Sequence, residues 1–136
     1  MTFLIDTCAL IFLTAEGDGS QDATMAIQNA YQNGEALYVS PISAWEIGLL
    51  VSKGRLRLSQ SPHRWFELVM RRASLLLADL TTDVLVASSF LPDSPLRDPA
   101  DKIIAATARE YDYTLLTRDR LLLSYADKGY LRAISC

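Results

Sequence analysis

Short apolar runs that each stop at a polar or acidic residue constrain this chain more than any other feature. Thr2-Phe3-Leu4-Ile5 stops at Asp6, Ala36-Leu37-Tyr38-Val39 at Ser40, and Tyr113-Thr114-Leu115-Leu116 at Thr117. Runs this short and this apolar read as strands buried on both faces. Between them lie segments with helix-start signals. Ser40-Pro41, Ser61-Pro62 and Asp98-Pro99 each place a capping side chain before a proline at the first helical position. Strands alternating with helices predict an α/β fold, a three-layer α/β/α sandwich around a central, mainly parallel sheet.

In chain order, the pattern predicts a strand over 2–5 and a short helix over 8–14. Gly17 to Ser20 is a loop, Ser20 or Asp22 caps a helix to Tyr31, and Asn33-Gly34 stops it. A strand over 36–39 precedes a helix from Pro41 to about Val51, ending near Gly54. Ser61 opens a helix through Arg71, and Ala73 to Ala78 reads as a buried strand. Thr81 or Thr82 caps a helix to Ser89, Leu91 to Pro95 is a loop, and Asp98 opens a helix to Tyr111. A strand over 113–116, a helix over 120–124 and a strand over 130–134 complete the pattern. The 136 residues suffice for one domain with a real core, taken as 1–136.

Composition removes several classes. A net charge of −3 argues against a general nucleic-acid coat protein, yet leaves room for a nuclease, whose carboxylate metal site is itself acidic. Cys8 and Cys136 lie at opposite ends and His63 is the one histidine, so neither a zinc site nor a disulfide framework is supported. No signal peptide and no membrane-length apolar run is present, and a cytoplasmic location is expected.

Four carboxylates stand at the ends of these elements: Asp6, Glu46, Asp101 and Asp119, with Asp98 three residues before Asp101. Each has a plain structural role open to it. Asp6, Asp98 and Asp119 can cap helices, Asp101 can favour a helix dipole, and Glu46 can face solvent. In parallel sheets, however, ligands sit beyond the carboxyl ends of the strands, which is where Asp6 and Asp119 fall. A convergent all-oxygen set suits Mg2+ or Mn2+. Without the ion, such carboxylates repel, and at least one should hold its proton more tightly.

The motifs Leu4-Ile5-Asp6-Thr7, Ser43-Ala44-Trp45-Glu46-Ile47, Asp98-Pro99-Ala100-Asp101-Lys102-Ile103-Ile104-Ala105-Ala106 and Leu115-Leu116-Thr117-Arg118-Asp119 resemble those of PIN-domain ribonucleases. In size and layout the chain is similar to the VapC toxins of toxin–antitoxin pairs. The resemblance implies a Mg2+- or Mn2+-dependent endoribonuclease that cuts RNA by water attack on a phosphodiester. It implies Asp6, Glu46, Asp101 and Asp119 as the acidic cluster, with Asp6 and Asp101 the most direct metal ligands and Asp98 in support. Thr7 and Thr117 would position carboxylates or metal-bound water. A homodimer is also implied, as is a small antitoxin whose tail fills the active-site groove. Cys8 stands where many relatives have Asn, Ser or His, and Lys102 where Arg is frequent.

Arg97, Lys102 and Arg118 flank the acidic motifs and are the candidate RNA contacts. Lys53, Arg55, Arg57, Arg71, Arg72 and Arg120 are further cations. Trp45 and Trp65 read as core or interface anchors. Leu49 to Val51, or Trp65 and Phe66, are candidates for a partner groove or dimer face. Two other enzyme or signalling readings are weaker. A haloacid-dehalogenase-type hydrolase needs a second Asp where Cys8 stands, and a receiver-like Mg2+-binding module needs adjacent acids after the first strand. A degenerate PIN-like module that only binds RNA or protein is the remaining alternative.

Overall fold

A computed structural model describes residues 2–14, 25 and 28–136. Strands β1 (Thr2–Ile5), β2 (Ala36–Val39), β3 (Leu76–Leu77), β4 (Thr114–Thr117) and β5 (Arg132–Ser135) form one sheet in the order β3-β2-β1-β4-β5. Every pairing is parallel. The helices with described bounds are α1 (Thr7–Thr14), α2 (Pro41–Ser52), α3 (Pro62–Arg72), α4 (Thr82–Ser88), α5 (Pro99–Tyr111) and α6 (Arg120–Asp127). The loop expected at Gly17 to Ser20 and the cap at Ser20 or Asp22 lie outside the described residues. The end of that helix is seen through residues 28–32, closed by Gly34 in the left-handed conformation (φ 72°).

Alternation along the strands builds the three layers. Phe3, Ile5, Leu37 and Val39 face one side, where Ala9, Leu10 and Leu13 of α1, Ile47 of α2 and Val69 of α3 cover them. Leu4 and Leu115 face the other, under Ile104, Ala105 and Ala108 of α5 and Leu122 and Tyr125 of α6. Each fully buried Leu or Ile here contributes about 1.5–3 kcal/mol relative to exposure. Helix α2 bridges the layers, because Ile47 packs into the first cluster and Ile42 against the second.

The Ser40, Ser61 and Asp98 caps form as the sequence predicts, each before its proline, and Thr81 caps α4. Three expectations need correction. The run Ala73 to Ala78 is not a buried strand. Only Leu76 and Leu77 pair, at the sheet edge, and both are exposed, because β3 has a neighbour on one side alone. Helix α6 continues to Asp127, since Leu122 and Tyr125 keep the helical spacing into the core beyond Ser124. Trp45 is 54% exposed, which removes the core role and leaves the interface role open to it. Among the described residues, no helix is long and apolar enough to cross a membrane.

Sheet order and register set the site. The chain steps outward from β1 to β2 and β3, then returns to pair β4 with the opposite side of β1. The carboxyl ends of β1 and β4 therefore flank the point where strand order reverses, the usual ligand crevice of such sheets. Ile5 is level with both Val39 and Leu116, which brings Asp6, Ser40 and Thr117 to the same edge.

Candidate active site

Asp6 is the most enclosed of the acids, 2% exposed. Its amide donates to the Leu116 carbonyl at 3.1 Å, which extends the β1–β4 ladder by one bond. One carboxylate oxygen, Oδ1, accepts from the Ala9 amide at 2.7 Å and so caps α1; Oδ2 accepts from the Thr117 hydroxyl. Thr117 in turn accepts from the Asp119 amide at 3.0 Å. Asp119 caps α6 with Oδ1 alone, accepting from Leu121 and Leu122 at 2.9 and 3.0 Å. Asp98 likewise caps α5 with Oδ1, from the Ala100 amide at 2.9 Å. The capping roles open to these residues are real, and in Asp98 and Asp119 they use a single oxygen.

Glu46 is half-buried on α2 and accepts from the Thr7 hydroxyl through Oε1. The Thr7 oxygen also lies 2.8 Å from the Ser43 hydroxyl. A threonine has one hydroxyl proton, so with that proton on Glu46 the Ser43 hydroxyl must donate to Thr7. The sequence reading missed Ser43. Its signal was spacing: three residues before Glu46, it shares that helix face.

Electrostatics join these residues into one group. The Asp101 carboxyl is pushed up from 3.8 to about 7, first by burial and then by Asp98, Asp119, Glu46 and Asp6. Asp6 is raised by burial, against the opposing Thr117 and Ala9 hydrogen bonds, with Asp119 adding to the rise. Glu46 is raised by burial, opposed by Thr7 and assisted by Asp98 and Asp6. Cys8 is exposed as a residue, yet its thiol is pushed up to about 11, by partial burial first and then by Asp6, Glu46, Asp101 and Asp119. It therefore marks a point within reach of all four. Among the described residues, no lysine or arginine offsets the shifts of Asp6, Glu46 or Asp101.

The structure thus brings Asp6, Glu46, Asp98, Asp101 and Asp119 to one edge but does not draw them into a closed shell. Among the described residues, no three Asp, Glu, His or Cys side chains stand close enough to hold an ion as they are. An all-oxygen donor set lacking an internal cation fits a hard divalent ion. Of the flanking cations, Arg97 is exposed and Lys102 half-buried, while the Arg118 guanidinium lies over the Phe12 ring, 3.9 Å from its centroid. Phe12 too was not singled out from sequence.

Away from this edge, a cavity of about 590 Å³ opens beside α1 and α3, lined by Ile11, Leu56, Leu58, Trp65 and Leu68 with Arg57 and Arg72 at its margin. His63 is exposed on α3 and pairs with Glu67 at 3.1 Å, away from the acids.

A parallel sheet with carboxylates gathered at its switch point defines a class, and the chain belongs to it: residues 3–128 match the PIN domain family. Within that family it falls with the VapC proteins. It is 31% identical to Ribonuclease VapC22 of Mycobacterium tuberculosis over 124 residues, covering 91% of this chain and 92% of that protein. Its fold is similar to a chain of the VapBC2 complex from Rickettsia felis bound to a promoter DNA fragment. The TM-score is 0.74 at 15% identity, with 99% and 98% of the two chains covered. A DNA-bound VapBC from Salmonella typhimurium gives a TM-score of 0.66 at 18% identity, with 99% and 98% covered.

Proposed function

We propose that this protein is a Mg2+- or Mn2+-dependent endoribonuclease and the toxin of a toxin–antitoxin pair. The observation that carries the reading is the group of mutually repelling carboxylates at the switch point, which no lysine or arginine among the described residues offsets. The likeness to a protein named a ribonuclease supports RNA as substrate.

In this reading Asp6, Asp101, Glu46, Asp119 and Asp98 hold the ion. A bound Mg2+ or Mn2+ supplies Lewis acidity at the phosphate oxygens and a water of lowered pKa. The chain's own part is orientation. Thr117 and the Ala9 amide fix both oxygens of Asp6, and the Ser43–Thr7 pair fixes Oε1 of Glu46, so these ligands stand ready before RNA arrives. Arg97, Lys102 and Arg118 hold phosphates on either side of the cut. Water adds at phosphorus, one P–O bond of the RNA chain breaks, and a proton of that water ends on the leaving sugar oxygen.

The partner reading rests on the same likenesses, two of which are VapBC complexes. The apolar cavity beside Trp65, with Arg57 and Arg72 at its margin, suits a segment of antitoxin carrying apolar and acidic side chains. Exposed Leu85, Val86 and Phe90 on and after α4 suit a homodimer face.

The test is cleavage of labelled cellular RNA by purified protein with Mg2+, with Mn2+ and with EDTA, beside Asp101→Asn. Discrete cuts that need both the ion and Asp101 are expected. Intact RNA under every condition, or equal cutting by the variant, would sink the nuclease reading.

A further inference from the structure

We propose that Phe12 and Arg118 together form a phosphate subsite beside the carboxylates, in which Phe12 is a positioning residue that holds the Arg118 fork open for the RNA backbone; this rests on the nuclease reading above. Strand register places Arg118 at the working edge. Thr117 ends β4 level with Ser135, its carbonyl accepts from the Cys136 amide at 3.2 Å, and its hydroxyl binds Asp6. Arg118 is therefore one residue beyond the group that orients Asp6.

An arginine between a buried carboxylate's partner and Asp119 would be expected to form an ion pair. Among the described residues, the contacts between basic and acidic side chains are His63–Glu67, Arg64–Glu67 and Arg132–Asp112, and Arg118 is in none of them. Its guanidinium instead rests on the Phe12 ring, 3.9 Å from the centroid. Among the described residues its N–H donors make no hydrogen bond and no ion pair, so they stay available, and that fork matches a phosphate. The edge therefore carries an acidic centre and a separate cation braced by an aromatic face. An RNA strand that presents one phosphate to the centre has another for the fork. An acidic protein segment would use the fork but has no phosphate for the centre, so RNA is the better fit.

The test is binding of a short 5′-fluorescein-labelled oligouridylate by full-length Asp101→Asn protein between about 50 and 200 mM salt. Added to that background, Arg118→Gln should weaken binding about tenfold and lower the log–log salt slope by about 0.7, the loss of one phosphate contact on a single strand. Phe12→Leu should weaken binding about threefold, and Phe12→Trp, which keeps an aromatic face, should retain it. Phe12→Leu with Arg118→Gln should bind no worse than Arg118→Gln alone, because Phe12 acts only through the arginine. An unchanged salt slope in Arg118→Gln overturns the subsite and leaves the fork to an acidic protein partner. Multiplying losses in the double variant overturn the positioning role of Phe12. RNA cleavage by the wild type, measured alongside, separates the two ideas: cutting with an unchanged slope removes this inference alone, whereas neither cutting nor binding removes both.

Discussion

The Thr117 hydroxyl donates to Oδ2 of Asp6 across 111 positions of the chain, and through it the end of β4 orients a carboxylate at the end of β1. The bond does two things at once. It satisfies an oxygen buried almost completely, and it fixes the direction in which the carboxylate points.

Thr117→Val keeps the side chain's shape and removes the hydroxyl. Oδ2 of Asp6 then loses its donor and the Asp119 amide its acceptor. Stability should fall by about 1–3 kcal/mol in urea titration. Metal affinity or RNA cleavage should fall roughly 10- to 100-fold. Activity unchanged across a Mg2+ titration would show that Asp6 needs no such support.

Ser43→Ala should act on Glu46 through Thr7. The Ser43 hydroxyl is fully buried and Thr7 is its partner, so the loss should cost about 0.5–1.5 kcal/mol in denaturant titration. The metal concentration for half-maximal cleavage should rise, because Glu46 becomes freer. A Glu46→Gln background should show no further rise when Ser43→Ala is added. A further rise there would place the effect of Ser43 elsewhere.

The proposed metal role ties ion binding to pH through Asp101, whose carboxyl is raised from 3.8 to about 7. Below the lower value both folded and unfolded chains hold this proton, and no stability difference arises. Between the two values the folded chain keeps a proton that the unfolded chain has released. The unfolded state then binds fewer protons, so stability falls as pH rises through this window and levels off above it. The raised Asp6 and Glu46 act in the same direction. Metal-free protein should therefore melt at a lower temperature at about pH 8 than at about pH 5, and Mg2+ should raise the melting temperature more at the higher pH. Equal Mg2+ shifts at both values would count against a carboxylate site.

Asp101→Asn removes one charge from that repulsion. In EDTA at about pH 8 the variant should melt higher than the wild type, while RNA cleavage is nearly lost. A variant that is both less stable and inactive would mean that Asp101 serves the fold first.

Tyr125 fixes the loop that leads to Arg97 and Asp98. It is buried between α6 and α5, and its hydroxyl donates to the Pro92 carbonyl at 2.6 Å. Tyr125→Phe should cost about 1 kcal/mol in denaturant titration. Hydrogen exchange should quicken at Leu96, whose amide donates to Ser94 within this loop.

Much of this fold was legible because local signals agreed with one another. The runs at Thr2, Ala36 and Tyr113 gave the central strands, and the serine or aspartate before proline gave the starts of α2, α3 and α5. The edges were harder. Apolar residues at Leu76 and Leu77 look the same in sequence whether a strand has two neighbours or one, and only the sheet order leaves them exposed. The five acids could be listed from sequence, but not their partners. Thr7 meets Ser43 only because α2 crosses beside α1, and Phe12 meets Arg118 only because β4 lies next to β1. Spacing within a helix reports such neighbours, whereas contacts between distant segments leave no local trace.

Because β1 is the middle strand, flanked by β2 from the next segment and by β4 from far along the chain, the centre is complete only after nearly all of the polypeptide exists. Pairing between such distant strands is slow, since the intervening loop must close first. A growing chain therefore carries Asp6 and Glu46 without Asp119 or Thr117. A chain stopped at residue 112 should show no Mg2+-dependent rise in melting temperature and no RNA cleavage; either would show that the later segment is dispensable.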